Sequence, residues 1–264
     1  MKIKFGSHGE QGWRPSMEDE EIAIGDLQQS FDLKDLGQPH ALFGVFDGHC
    51  GNLASEFVRD HFPEALVKNP HFETDPRTAL REAFLKTDAD LRAVEETESG
   101  ATGVVLLIRG KEVWCANLGD SRAVLSEEGC AIALSHDHKP DDGPEKRRIE
   151  ELGGFVEMGR VNGILAVSRA FGDFEYKIDG KMMVEIEPEI ESRELQSYCD
   201  FIVLACDGLW DVMSNTEAVD LISGKLKAGL SEKETAEFMC KHAINLGSTD
   251  NVTCLIVSLD FSED

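Results

Sequence analysis

Bases are scarce in this chain of 264 residues: 26 Lys and Arg stand against 51 Asp and Glu, a formal charge of −25 at pH 7. That balance excludes a protein whose main partner is a nucleic-acid backbone, which has to be met with cations. Long apolar runs are missing too. The longest span about six residues, far below the ~18 that a membrane-crossing helix needs, so no membrane partner is expected. The start, Met-Lys-Ile-Lys-Phe-Gly, carries neither an apolar leader nor a myristoylation glycine. The seven cysteines are odd in number, widely spread and free of any Cys-x-x-Cys pair. They form neither a disulfide framework nor a zinc ribbon. Several, such as Cys206 in Phe201-Ile-Val-Leu-Ala-Cys206, sit in apolar runs as small buried hydrophobes do. No repeat, low-complexity tract or Pro/Ser linker divides the sequence. The expectation is a single domain over residues 1–264, soluble, monomeric, in the reducing cytoplasm or nucleus.

What is present is ordinary globular material, with 41% hydrophobic and 29% charged residues. Short runs rich in Val, Ile, Leu and Phe read as strands at 41–46, 104–108, 112–118, 122–125, 201–206 and 252–259. Gly110-Lys111 between two of them predicts a hairpin, hence an antiparallel sheet. Helices announce themselves by their caps. Asp75-Pro76 precedes Leu80, Phe84, Thr87 and Leu91 at helical spacing, and Ser214-x-x-Glu217 and Ser231-x-x-Glu234 are capping boxes. Leu53, Phe57, Val58 and Phe62 make an apolar stripe, and a helix over 140–152 is expected to stop at Gly153-Gly154. Strands cluster and helices come in pairs, which favours an α+β layered architecture over a doubly wound parallel sheet.

Four acidic motifs lie at ends of predicted strands: Phe46-Asp47-Gly48-His49, Leu118-Gly119-Asp120-Ser121, Cys206-Asp207-Gly208-Leu209 and Thr249-Asp250-Asn251-Val252. A single Asp-Gly is usually a turn. Four at separate strand ends suggest carboxylates held on rigid elements, with glycine letting a cation or phosphate approach the backbone. Such oxygen ligands suit Mg²⁺ or Mn²⁺. Arg14 precedes the acidic cluster Glu18-Asp19-Glu20; its planar fork matches a phosphoryl group, though an isolated acidic triplet is commonly just a solvated charge run.

With these motifs the sequence resembles the 2C-type metal-dependent protein phosphatases (PPM family) nearly end to end. The resemblance is carried by Gln11-Gly-Trp-Arg-Pro-Ser-Met-Glu-Asp19, Phe46-Asp-Gly-His-Cys-Gly51, Ser99-Gly-Ala-Thr102, Asn117-Leu-Gly-Asp-Ser-Arg122, Asp137-His-Lys-Pro140, Arg160-Val-Asn-Gly163, Leu165-Ala-Val-Ser-Arg-Ala-Phe-Gly-Asp173, Asp207-Gly-Leu-Trp-Asp211 and Asp250-Asn-Val252. Each motif is weak alone; nine in family order are specific. The resemblance implies a four-layer αββα sandwich, two mostly antiparallel sheets packed face to face with helices on both outer faces. It implies hydrolysis of phosphoserine and phosphothreonine in phosphorylated protein substrates by water activated between two Mg²⁺ or Mn²⁺ ions, with no phosphoenzyme, and a third, weaker ion. On this sequence the metal residues would be Asp47 as the bridge, Gly48 through its carbonyl, Asp207, Asp250, Glu18 through water, and Asp120 with Asp207 at the third ion. Arg14 would bind the phosphate, Asp19 would orient the attacking water, and His49 would protonate the leaving oxygen. For His49 the plain alternative is packing, and Asp211 is read as capping the turn after Asp207. The segment Ser168–Asp173 is expected to shape the core and a substrate flap, and Lys146, Arg147 and Arg148 to lie on a solvated helix face.

A cysteine-dependent phosphatase is disfavoured: the first arginine after Cys50 is Arg59, too distant to close a phosphate cradle. A non-catalytic docking domain would be expected to have lost a ligand. A calcium-binding protein lacks its Asp-x-Asp-x-Asp-Gly loop.

Overall fold

The computed structural model describes residues 1–34, 38–94, 98–178 and 180–262. Two five-stranded antiparallel sheets face each other. One runs, edge to edge, Lys2–Glu10, Val252–Asp260, Cys199–Ala205, Arg122–Glu127, Cys130–Ala133; the other runs Glu189–Glu194, Glu112–Leu118, Gly103–Arg109, His40–Phe46, Glu20–Ile24. Between them lies a core that includes Phe43, Val45, Leu106, Leu125, Ile202, Leu204 and Leu255. The next residues along the strands point the other way, as the two-residue period of a strand requires. Leu42, Phe46 and Leu107 pack under the helices Leu53–Val67 and Pro76–Val94, and Val203, Cys254 and Ile256 under Asn215–Lys227 and Glu232–Asn245. This is the αββα sandwich.

The caps form as expected: Ser214 and Ser231 each close a capping box, and Thr78 N donates to Asp75 Oδ1 at 3.1 Å. The helix expected from residue 140 begins three residues later, as Gly143–Glu151, because Pro140 lies in the turn that Asp142 N closes on the Lys139 carbonyl at 3.1 Å. The hairpin at Gly110 is present, with φ of +58° there and Arg109 paired to Glu112. Gly6 marks a close approach: a Cβ there would lie 2.2 Å from the backbone nitrogen of Lys233, at the start of the helix that crosses this edge strand.

Several strands break off at one end of the sandwich. There a small three-stranded sheet, Phe171–Gly172, Gly100–Ala101 and Gly48–His49, fixes the connecting loops. Among the described residues no helix is long and apolar enough to cross a membrane.

Candidate metal centre

The acids singled out at strand ends converge on this end of the sandwich, around a cavity of about 350 Å³ lined by Arg14, Glu18, Asp47, His49, Asp120, Asp207 and Asp250 among others. Asp47 follows the buried strand His40–Phe46 directly, and its carbonyl accepts from Thr102 N at 2.9 Å, which ties it to the neighbouring strand. Asp207 opens the short helix Asp207–Trp210, whose turn the backbone N–H of Asp211 closes on the Asp207 carbonyl at 2.8 Å. Asp47, Asp120 and Asp207 each offer an oxygen within 4.8 Å of the others; Asp47 also joins Asp19 and Cys206 in a second such group. Asp250 sits at the rim, where Arg14 Nη2 donates to its Oδ2 at 2.5 Å.

Glu18 and Asp19 reach the site through Asn251. Its Oδ1 accepts from Glu18 N at 2.9 Å, and its Nδ2 donates to the carbonyls of Gln11 and Ser16 at 2.8 and 2.9 Å. Glu18 Oε2 accepts from Gly51 N at 3.0 Å, and Asp19 Oδ2 from Thr253 Oγ1 at 2.8 Å. Two glycines leave room for this closure. A Cβ on Gly48 would lie 2.2 Å from the Glu18 carbonyl, and one on Gly208 2.0 Å from the Asn251 carbonyl.

Gathering like charges away from water disfavours their ionised forms. Burial, then the neighbouring Asp19 and Asp207, raises Asp47 well above the carboxylate range. Burial with Asp120 and Asp211 pushes Asp207 up to about 7. Burial takes Asp19 to about 6 against the opposing hydrogen bond from Thr253. Asp19 Oδ1 and Asp120 Oδ1 are buried and find no hydrogen-bond partner among the described residues. Crowded oxygen donors, orphaned carboxylate atoms and glycine-bared backbone fit hard divalent cations, which would supply the missing partner and the missing positive charge.

This crowding has a measurable consequence. Across roughly pH 4 to 7 the metal-free fold holds more protons than the unfolded chain, so its stability falls as pH rises through that window. In chelator, the thermal midpoint is expected to drop by roughly 5–10 °C between about pH 5 and about pH 7.5. The drop should be shallower in Asp207→Ala; equal slopes in the two proteins would contradict the crowding. Glu145, held down to about 2 by Arg169 and Arg148 despite its burial, acts in the opposite sense only at lower pH, while His138, taken down to about 4 by burial, offsets part of the drop inside the window.

Asp173, expected with Ser168 only to shape the core and a flap, instead belongs to the site. Asp173 is 3% exposed, lies in the left-handed region at φ +49°, and its Oδ2 meets His49 Nε2 at 2.8 Å. A Cβ on Gly100 would strike both partners, at 2.3 and 2.4 Å. The available signal was the last letter of Ser168-Arg-Ala-Phe-Gly-Asp173, where a polar residue closes an otherwise packed motif. Arg148 is a second correction. It leaves the solvated helix face and binds Glu145 at 2.7 Å and the Ser168 carbonyl at 2.6 Å, whereas Lys146 and Arg147 are exposed as expected.

Residues 3–252 match the family model for protein phosphatase 2C. The chain belongs to the protein phosphatase 2C family. The probable protein phosphatase 2C 59 of Arabidopsis thaliana is 40% identical over 263 residues, covering 97% of this chain and 79% of the relative. Protein phosphatase 2C homolog 2 of Schizosaccharomyces pombe is 38% identical, covering 92% and 66%. A solved C. elegans sex-determining protein superposes with a TM-score of 0.86 at 31% identity, over 98% of this chain and 65% of that one. The serine-threonine phosphatase 2C of Toxoplasma gondii, at 24% identity, shares the fold with a TM-score of 0.84, over 98% and 95% of the two chains. As a protein phosphatase 2C, the chain is a metal-dependent serine/threonine protein phosphatase.

Cys50 is the nucleophile the rival chemistry would need. Burial and the carboxylates of Asp173 and Glu18 raise its thiol above the usual value, which keeps it protonated and weakly nucleophilic. Cys50→Ser is therefore expected to keep activity within about twofold, since an inert thiol contributes no chemistry; a collapse on phosphopeptide would reinstate the cysteine reading.

Proposed function

We propose that the chain hydrolyses phosphoserine and phosphothreonine in proteins by direct attack of water, at a centre holding two Mg²⁺ or Mn²⁺ ions, without a phosphoenzyme. The observation that carries this reading is the convergence of Asp47, Asp120 and Asp207 within 4.8 Å, with Asp47 common to both acidic groups. Asp47, Asp207, Asp250 and the Gly48 carbonyl would hold the pair, Glu18 would act through water, and Asp120 with Asp207 would offer a weaker third position. The ions, when bound, supply Lewis acidity that acidifies water and draws charge from the phosphoryl oxygens.

The remaining chemistry falls to side chains of this one chain. Arg14, at the mouth, commits one of its five donors to Asp250, which leaves the fork free to grip a phosphate. Asp19, anchored by Thr253, accepts a hydrogen bond from the attacking water and fixes its direction. His49 donates a proton to the departing serine or threonine oxygen. Burial alone would lower its basicity, but the Asp173 carboxylate, with Asp120 and Glu18, outweighs this and the net shift is upward, so the ring keeps its proton to higher pH than a free imidazole. Direct attack by water is favoured because the thiols at the cavity are poor nucleophiles. Cys50 is held protonated, and Cys206 is buried with its thiol raised well above the usual range. None of the seven cysteines is in a disulfide, which suits the reducing cytosol or nucleus.

The deciding experiment is a Mn²⁺ and Mg²⁺ titration of phosphate release from a phosphothreonine peptide, with Asp207→Ala as control. Activity that needs either ion and is lost in the control is expected. Full activity in chelator would end the reading.

A further inference from the structure

We propose that Lys139 is a built-in counter-cation for Asp120 that weakens the third ion position, an inference that rests on reading this site as a metal centre. Lys139 Nζ lies 2.5 Å from Asp120 Oδ2, and the carboxylate side chain is only 3% exposed. The other oxygen, Oδ1, is buried without a hydrogen-bond partner among the described residues, beside acids that offer oxygens within 4.8 Å. Asp207 and Asp211 also attract the ammonium. A divalent ion arriving at Asp120 must therefore displace this charge or settle a few ångströms from it, and either lowers its affinity.

The contact is built rather than incidental, because the segment carrying Lys139 is clamped onto the turn carrying Asp120. His138 N donates to the Gly119 carbonyl at 2.9 Å, and Gly119 N donates back to His138 Nδ1 at 3.2 Å. Ser168 Oγ holds the His138 carbonyl at 2.8 Å. On the other flank Arg122 grips Asp137 with two bonds, at 2.9 and 2.6 Å. An exposed lysine would lose much side-chain entropy in holding one geometry; this one is only 33% exposed and delivered by fixed backbone. The ammonium thus neutralises Asp120 whenever the third position is vacant.

The test is equilibrium Mn²⁺ binding, by calorimetry and by the electron paramagnetic resonance of free Mn²⁺, on the full chain. Lys139→Gln keeps a donor for Asp120 while removing the charge; Lys139→Met is the second uncharged variant, and circular dichroism checks that both fold. The weakest-bound ion is expected to bind about tenfold tighter in the uncharged variants, the gain from removing one nearby like charge. Lys139→Arg should keep wild-type affinity, and adding Asp120→Asn should abolish the gain. Equal or weaker binding in folded uncharged variants would overturn the role of Lys139. Absence of Mn²⁺ binding in the wild type would instead overturn the metal centre itself.

Discussion

Asp207→Ala is expected to lose about a thousandfold or more of phosphopeptide turnover, because on the proposed reading it removes a direct metal ligand, where even changes to the partners of a ligand typically cost about 10–100-fold. The fold should survive and, without metal, gain stability. Asp207 is pushed up to about 7 by burial and by Asp120 and Asp211. At neutral pH its partly ionised carboxylate destabilises the metal-free fold, on the order of a few kcal/mol. Alanine removes that penalty together with the ligand. Thermal unfolding in chelator checks the first half, and unfolding with Mn²⁺ checks the second. Wild type should gain stability from the ion by mass action, and the variant should gain much less. A variant that is inactive but equally stabilised by Mn²⁺ would place the ions elsewhere. Asp47→Ala should behave the same way, since Asp47 belongs to both acidic groups.

His49→Gln is expected to slow phosphothreonine hydrolysis by about 10²–10⁴, the usual worth of a positioned acid. Aryl phosphate hydrolysis should change only a few-fold, because an aryl oxide leaves without a proton. The contrast between the two substrates carries the inference, since a packing defect would slow both alike. Asp173→Asn should show the same split with a smaller amplitude: the amide keeps the 2.8 Å contact to Nε2 but loses the charge that holds the proton on the ring. Equal losses on the two substrates would remove His49 as the acid.

The strands legible in the sequence and those that were not divide by position in the sheets. The six expected runs are the six interior strands of the two five-stranded sheets, largely buried and therefore rich in apolar residues. The four strands overlooked in the two five-stranded sheets, Lys2–Glu10, Glu20–Ile24, Cys130–Ala133 and Glu189–Glu194, are the edges of those two sheets. Three of them meet one neighbour and water, so they carry charge and lose the apolar signature, a habit that also discourages edge-to-edge association; Cys130–Ala133 is apolar but only four residues long, too short to stand out. Lys2–Glu10, with Phe5 and Ile3 scattered among Lys, Ser and His, has no pattern a periodicity search would keep.

The site shows the same division. Asp47, Asp120, Asp207 and Asp250 were visible because each stands where an apolar strand starts or stops, a local signal. Asp173 and Lys139 were not visible, since their roles exist only through partners 124 and 19 residues away in the chain. Asn251 is intermediate. It appears in the motif with Asp250, but its tethering of Glu18 N, Gln11 and Ser16 across 233 to 240 residues emerges only in three dimensions.

The most direct measurement is diffraction from crystals grown with Mn²⁺, recorded at the manganese absorption edge. Two strong anomalous peaks are expected in the cavity, both in contact with Asp47, with Asp207 and Asp250 on one of them. A cavity with no manganese, or ions bound only to surface acids away from Asp47, would contradict the proposed two-ion centre.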